Sequence, residues 1–363
     1  MKPVRNSLIL YQIVTPDGTI RHGLNPFFML NKILFFFLIA FIGNANAQYW
    51  QQQVDYRIDV KLDDKTHRLF GEITFDYQNN SPGPLDSLYI HVWPNAYQAG
   101  SALAEQLSKE GKKLSEMDTA KLGSISNLDF KLNGQRIQWA FHPDHKDIVC
   151  IKLTQALASG QKLSVSTPFT VKIPSGSISR LGHIGQAYQI TQWYPKPAVY
   201  DHKGWHPIPY LNQGEFYSEF GSFDVSITVP SNYVVGATGE LQNTDEQLFL
   251  DSLAAMCKAN INEIIALPPG ALRDSFPESA NTWKTLRYKQ DRVHDFAWFA
   301  DKRFKVLKGS VKLPNSGRNV TSWAYFTPAN ALQWQNSIEY INDGTYYYSK
   351  WNGDYPYSAV SAV

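Results

Sequence analysis

No H-E-x-x-H segment occurs anywhere in these 363 residues, and neither do G-x-S-x-G, G-x-x-x-x-G-K-[ST], G-x-G-x-x-G or C-x-x-C. The first absence removes the helical face on which two imidazoles and a base can serve a metal. The others remove the nucleophile elbow, the phosphate cradle, the dinucleotide fingerprint and the dithiol pair. Charge is also scarce: charged residues make up 18% and the net charge is +2, so no strong field draws in nucleic acid. Cys150 and Cys257 are the only cysteines, too few for a disulfide framework. Export permits a bridge between them. The apolar run Ile148–Leu153 around Cys150 equally suits a buried free thiol.

Long apolar runs are lacking too, with one exception. Lys32 precedes the ten residues Ile33–Ile42, and Ala45-Asn46-Ala47 follows. A basic lead, a short apolar core and an A-x-A site predict a secretory signal peptide over 29–47. The run is short of the ~20 residues a span needs, so no stable membrane span is expected after cleavage at Gln48. Met29 makes 1–28 an over-extended start in this reading. The product is expected in the periplasm, at the cell surface or in the medium.

What the sequence has in abundance is aromatics, 14% of the chain, which suit a half-buried pleated surface. Period-2 runs at Tyr56–Leu62, Leu69–Tyr77, Leu88–Trp93, Lys162–Ser166, Phe169–Pro174 and Phe223–Pro230 predict short strands. Their spacing argues for a mainly β, saddle-like antiparallel sandwich over 48–304. Ser101–Leu122 reads as a helical insertion, and a helix is predicted over 246–266 with Thr244 as its cap and Pro268-Pro269 as its stop. From Lys305 the texture changes. Two strands lead to Thr327-Pro328, a cap and first-turn pair, and one helix is predicted from there to about Trp351, stopped at Gly353. The apolar tail Ala359–Val363 reads as a further strand.

The densest chemistry lies in Thr191–Pro207, rich in Trp, Tyr, Pro and His. Such a segment is an ordered loop with its rings pinned on the core, and loops of this kind also carry binding groups. His202 and His206 stand four apart with Glu215 and Glu219 downstream, but Gly204 and Pro207 break the helix that would align them, so no metal site is assigned. His183 reads as a loop or core residue. Tyr346–Tyr348, Tyr355 and Tyr357 could stack on carbohydrate, although at helical spacing they read first as a packing face.

Three segments in order carry a resemblance: Thr191–Pro195 leading to Phe220–Val225, then Arg292–Asp301, then Tyr325–Pro328 with Tyr355-Pro356-Tyr357. Read together, from Tyr49 to Val363, the chain resembles the front portion of the aminopeptidase N and leukotriene hydrolase family of zinc metallopeptidases. The resemblance implies that residues 305–363 open a truncated thermolysin-like α/β catalytic domain. It also implies a zinc cofactor and a peptide substrate for the intact parent, with the zinc ligands, general base and catalytic Tyr all falling beyond this chain. It implies that Gln192 lines the pocket for the substrate N-terminus. Tyr194 takes the second substrate-binding position, where that family often has Gln or Glu, which loosens the expected specificity for free N-termini. The rival expectation is a non-catalytic exported β protein that holds peptide or glycan.

Overall fold

The computed structural model describes residues 11–14, 17, 18, 20–23 and 49–363. The expected signal peptide at 29–47, and most of the 1–28 segment, lie outside the described residues. Tyr11–Val14 and Ile20–Gly23 form a short antiparallel hairpin by themselves. Residues Trp50–Val363 make a separate compact unit; the described residues are mainly β, with 41% strand and 21% helix.

Alternation builds the main sheet. In β1 (Gln53–Asp63) Val54, Tyr56, Ile58, Val60 and Leu62 all point inward, and β2 (Arg68–Gln78) answers with Leu69, Ile73, Phe75 and Tyr77. Next come β3 (Leu85–His91), α1 (Ala102–Lys109), β4 (Ile148–Leu157) and β5 (Lys162–Lys172). The expected strands 162–166 and 169–174 are one strand, β5, running through Pro168. Neither short neighbour on its outer side reaches that residue: Lys131–Leu132 pairs at 165–166 and Ser124–Ser126 at 170–172. The missing N–H therefore breaks no rung there.

After β6 (Gly182–Ile184) and β7 (Ala187–Ile190), β8 (Gly221–Pro230) joins the main sheet beside β1, and the pairing is parallel. The sandwich is thus not wholly antiparallel. Gly221 permits the approach, because a Cβ there would lie 1.6 Å from the Val54 carbonyl oxygen. β9 (Val234–Ala237), α2 (Thr244–Ala259), β10 (Trp283–Val293) and β11 (Trp298–Asp301) complete the β region. Among the described residues the main sheet has nine strands, at its centre β10-β8-β1-β2-β5. Two four-stranded sheets close the core: one holds β3 and β4, the other runs β6-β7-β11-β9.

A separate three-stranded sheet follows: β12 (Lys305–Lys312), β13 (Asn319–Phe326) and β14 (Ala359–Ala362). β12 and β13 pair antiparallel, and β14 returns parallel to β13 after α3 (Ser337–Asn352). The expected tail strand is present.

Three helix expectations need correction. The 101–122 insertion is helical only in α1, which Ser101 caps through the Ala104 amide (3.0 Å); single 3-10 turns follow at Leu114–Glu116 and Thr119–Lys121. The cap position of α2 is Asn243, one residue early, and the helix breaks at Asn260, whose side chain donates to the Met256 carbonyl (3.0 Å). A short helix, Ile261–Ile265, continues before the prolines. The helix expected from 328 to 351 is three pieces: a 3-10 turn at Pro328–Asn330, a short helix at Ala331–Trp334, and α3. Its break falls where the Gln335 side chain takes the Leu332 carbonyl (3.0 Å) and competes with the helical bond. Gly353, at φ 97°, stops α3 as expected.

Candidate functional site

The Thr191–Pro207 segment is ordered, as its composition predicts, and it grips one partner. Leaving β7 at Ile190, which pairs with Trp298 of β11, the chain turns at Gln192 in the left-handed region (φ 49°). That conformation costs a non-glycine residue about 1 kcal/mol or more and persists only where the surroundings impose it. Here three side chains impose it. Trp193 Nε1 donates to the Phe296 carbonyl (3.0 Å), the Tyr194 hydroxyl to Asp295 Oδ1 (2.7 Å), and Lys196 Nζ to the His294 carbonyl (2.8 Å). Lys196 Nζ also lies 3.2 Å from Asp295 Oδ2. The Phe296 amide adds a bond to Asp295 Oδ1 (2.8 Å). One loop thus holds residues 294–296 of the other.

This grip is buried. Lys196 is 2% exposed, and burial pulls its ammonium below the usual lysine range while Asp295 pulls it back up. Its cross-strand partner His91 is stacked on Trp93 at 4.4 Å, with both ring nitrogens buried and without a hydrogen-bond partner. Burial, with the Lys196 charge beside it, drives the His91 imidazole down to about 3, so it is neutral. Tyr194 lies in the core, edge-on to Tyr56 (5.6 Å) and Phe223 (5.8 Å), with its hydroxyl committed to Asp295. Gln192 is half-buried, and its Oε1 is a buried acceptor without a partner.

The gripped loop faces the last sheet as well. Arg292 is a second non-glycine residue at positive φ (52°), and its carbonyl accepts the Tyr357 hydroxyl at 2.8 Å. Two polar clefts of about 620 and 600 Å³ meet at Asp291 and Arg292. Gln53, Asp55 and Phe220 line the first; Lys289, Arg318 and Tyr357 line the second.

The histidines and acids weighed as ligands are spread apart in role. His206 Nε2 bonds Asp201 Oδ1 (2.8 Å), and the Tyr217 hydroxyl bonds Asp201 Oδ2 (3.1 Å). Burial alone would raise Asp201; His206, the Lys203 amide and Tyr217 outweigh it and hold the carboxyl at about 2. His202 and Glu215 are exposed. Glu219 is buried, and both its oxygens lack a partner in hydrogen-bonding geometry. Burial pushes it up to about 7, with the Tyr200 amide and the Gln51 side chain restraining the rise. His183 stacks on His67. Among the described residues no three of His, Cys, Asp and Glu converge to hold a metal, so these residues do not fit the zinc that the resemblance implies. Cys150 is half-buried and Cys257 buried, and both are free thiols.

Sequence reasoning finds Gln192 and Tyr194 but passes over Lys196, Asp295 and His91. Lys196 stands between two prolines in an aromatic run, a sign of a fixed lysine. Asp295 lies in the second segment of the resemblance, 101 residues from Tyr194 in the chain, and only the fold brings them together. Of the tyrosines, Tyr346 packs against the Val311 cluster as a packing face requires, whereas Tyr347, Tyr348 and Trp351 are exposed.

The class these elements define is a mainly β region followed by a β-β-α-β unit. No family model and no curated protein matches the chain. Solved structures similar to it include the M1 zinc metallopeptidase from Deinococcus radiodurans, at 13% identity and TM-score 0.48, with 86% of this chain and 55% of that one covered. A variant of the D. radiodurans enzyme aligns at 13% identity and TM-score 0.49 (86% and 56% covered), and a variant bound to a Tyr-Ser-Ala substrate at 14% and 0.47 (86% and 56%). The chain spans little more than half the length of these structures. Among the described residues no helix is long and apolar enough to cross a membrane.

Proposed function

We propose that this chain is the front portion of an exported, aminopeptidase N-like zinc metallopeptidase: the β domain at 48–304 and the opening of the catalytic domain at 305–363. In this reading Gln192 lines the pocket for a peptide substrate and contributes to the site assembled by the intact parent. One observation carries it. A left-handed Gln192 with an unpartnered buried amide oxygen sits in a loop locked to residues 294–296, and the nearby Arg292 carbonyl accepts the Tyr357 hydroxyl next to the last sheet. A buried acceptor without a partner is costly, and a substrate ammonium would satisfy it once the side chains that cover it move aside. Tyr194, buried with its hydroxyl on Asp295, serves in this reading to position the loop and not, as expected from the sequence, to bind substrate itself. The zinc ligands belong to the remainder of the parent, and no catalytic step is assigned to residues of this chain.

Reading the coding DNA past the codon for Val363 tests the first part. An in-frame H-E-x-x-H segment downstream is expected. A stop codon directly after Val363, with purified chain that binds peptide or glycan and cleaves neither, would replace this reading with a binding or scaffold protein. The role of Gln192 is tested in the extended protein. Gln192→Ala should raise KM for short peptides by about tenfold with kcat nearly kept, the signature of lost uniform binding. An unchanged KM would remove Gln192 from the pocket.

A further inference from the structure

The turn between β1 and β2 ends on a third non-glycine residue at positive φ, His67 (φ 53°). Its ring lies face to face with His183 of β6, with centroids 3.7 Å apart and planes 14° from parallel. His67 Nδ1 is 2.8 Å from the Tyr188 hydroxyl on β7. His183 Nδ1 bonds the Gly185 carbonyl at 3.0 Å, so it already carries a proton, and any further proton must go to Nε2 and charge the ring.

The stack is the outer end of a buried polar chain. The Tyr188 hydroxyl is 3.3 Å from the Asp64 carbonyl. The Asp64 carboxylate accepts from the Tyr233 hydroxyl (2.8 Å), Gln186 Nε2 (3.2 Å) and the Ser279 hydroxyl. Lys302 Nζ, 4.0 Å from that carboxylate, donates to Gln186 Oε1 (2.5 Å) and Ser279 Oγ (2.9 Å). Lys302 lies just ahead of β12. This polar route from the β1–β2 turn to the start of the last sheet therefore begins beside two imidazoles in van der Waals contact.

We propose that the His67–His183 stack is an acid-released latch, closed while its imidazoles are neutral and opened when both are charged. Two positive rings cannot share a 3.7 Å contact without strong repulsion. The groups facing His67 are His183, Tyr188, Asp63 and Asp64. The two carboxylates favour its charged form; burial and His183 oppose it more strongly and hold His67 below the ordinary histidine range. The sign follows. The open form binds the proton more readily than the closed one, so the latch is intact above about pH 6.5 and weakens as pH falls through and below that value.

Hydrogen exchange of the full chain at pH 7.5 and 5.5, corrected for intrinsic rates, reads the latch. Exchange in peptides covering 63–68 and 182–190 should quicken by about tenfold at the lower pH, while β8 stays protected. His183→Phe keeps a ring in the stack without a second charge and should abolish the difference. His67→Asn, which tolerates the left-handed backbone, should do the same if the first variant folds poorly. Equal protection at both pH values in the wild type would overturn the proposal. So would an undiminished acid response in either variant, which would place the response on Asp64 or another carboxyl.

Discussion

The β region and the unit after Lys305 are built from the same residue types, yet they hold together differently. In the first, one contiguous core joins the main sheet to both four-stranded sheets, from Val54 through Trp193 to Ala300. In the second, small clusters sit around a three-stranded sheet, and two of them are shared with the β region: Val306 and Tyr325 pack with Val234 and Leu250, and Leu307 and Phe326 with Cys257, while Val311 and Val320 cluster apart. The first buries aromatics against one another, some edge-on and some stacked; the second leaves Tyr340, Tyr348 and Trp351 on the open face of α3. Hydrophobic stabilisation scales with apolar area withdrawn from water, so the β region should be the stable element and the later unit the one that opens first.

The largest expected effect tests the core directly. Trp193 is fully buried, bonded to the Phe296 carbonyl and packed edge-on to Trp298 (6.2 Å). Trp193→Ala should cost about 3–5 kcal/mol in denaturant unfolding. A loss below about 1 kcal/mol would mean that the two loops do not depend on each other.

Next comes the buried pair. Asp295→Ala leaves the Lys196 ammonium in the interior without a counter-charge and should cost about 3 kcal/mol. Lys196→Met should be close to neutral, because Asp295 keeps the Tyr194 hydroxyl, the Phe296 amide and some contact with water. Equal penalties from both, measured by chemical denaturation, would refute this asymmetry.

Glu219 gives the β region a pH signature. Its folded carboxyl sits at about 7, above the usual value of about 4.3. The folded state therefore holds the proton more tightly than the unfolded one. The resulting advantage is complete below about pH 4 and declines as pH rises to about 7, by up to about 3 kcal/mol. Glu219→Gln should flatten that slope, so the variant gains on the wild type between pH 5 and 8. If the two stability curves run parallel, Glu219 is ionised in the fold at all these pH values.

Much of this architecture is legible in the amino-acid order. Alternation in Tyr56–Leu62 and Leu69–Tyr77 marks β1 and β2 because a strand with one buried face must alternate. The Phe223–Pro230 run likewise marks β8, but not its parallel pairing, since Gly221 makes its room against Val54, which is remote in the chain. Helix ends are less legible. Asn260 and Gln335 decide two of them through competing local bonds that periodicity does not register, while Asn243 at the start of α2 is tied across to Thr285 and Arg287 of β10. Gln192 is reached through a resemblance; the lysine and aspartate that fix its loop require the tertiary contact between 191–196 and 294–296. The exposure of Tyr348 and Trp351 is not legible, because helical spacing says which residues share a face and not what that face meets.

The two regions can be compared at matched glycines. A Cβ at Gly221 would strike the Val54 backbone oxygen at 1.6 Å, whereas at Gly309 of β12 it would meet the Cγ2 methyl of Ile338 at 2.3 Å and Ser322 Oγ at 2.9 Å. Backbone in a central strand yields least, and the stiff β-branched Ile338 yields only by shifting α3. Gly309→Ala should therefore cost about 1–3 kcal/mol by overpacking, still below Gly221→Ala. A reversed order in thermal melts would place the more yielding backbone in the β region.

The smallest expected effect is the most discriminating for α3. Trp351 is 70% exposed, and its ring meets Tyr347 and Tyr348, neighbours on the same helix. Trp351→Ala should change stability by no more than about 0.5 kcal/mol, the range for surface substitutions that break no cap or packing contact. A loss of about 2 kcal/mol or more in the isolated chain would mean that this face is covered in solution, and the contrast between the regions would collapse. If the loss instead arises only in a longer protein that carries this chain, α3 packs there against residues beyond Val363. The same tryptophan would then be surface in one context and core in the other, as the proposed catalytic-domain opening requires.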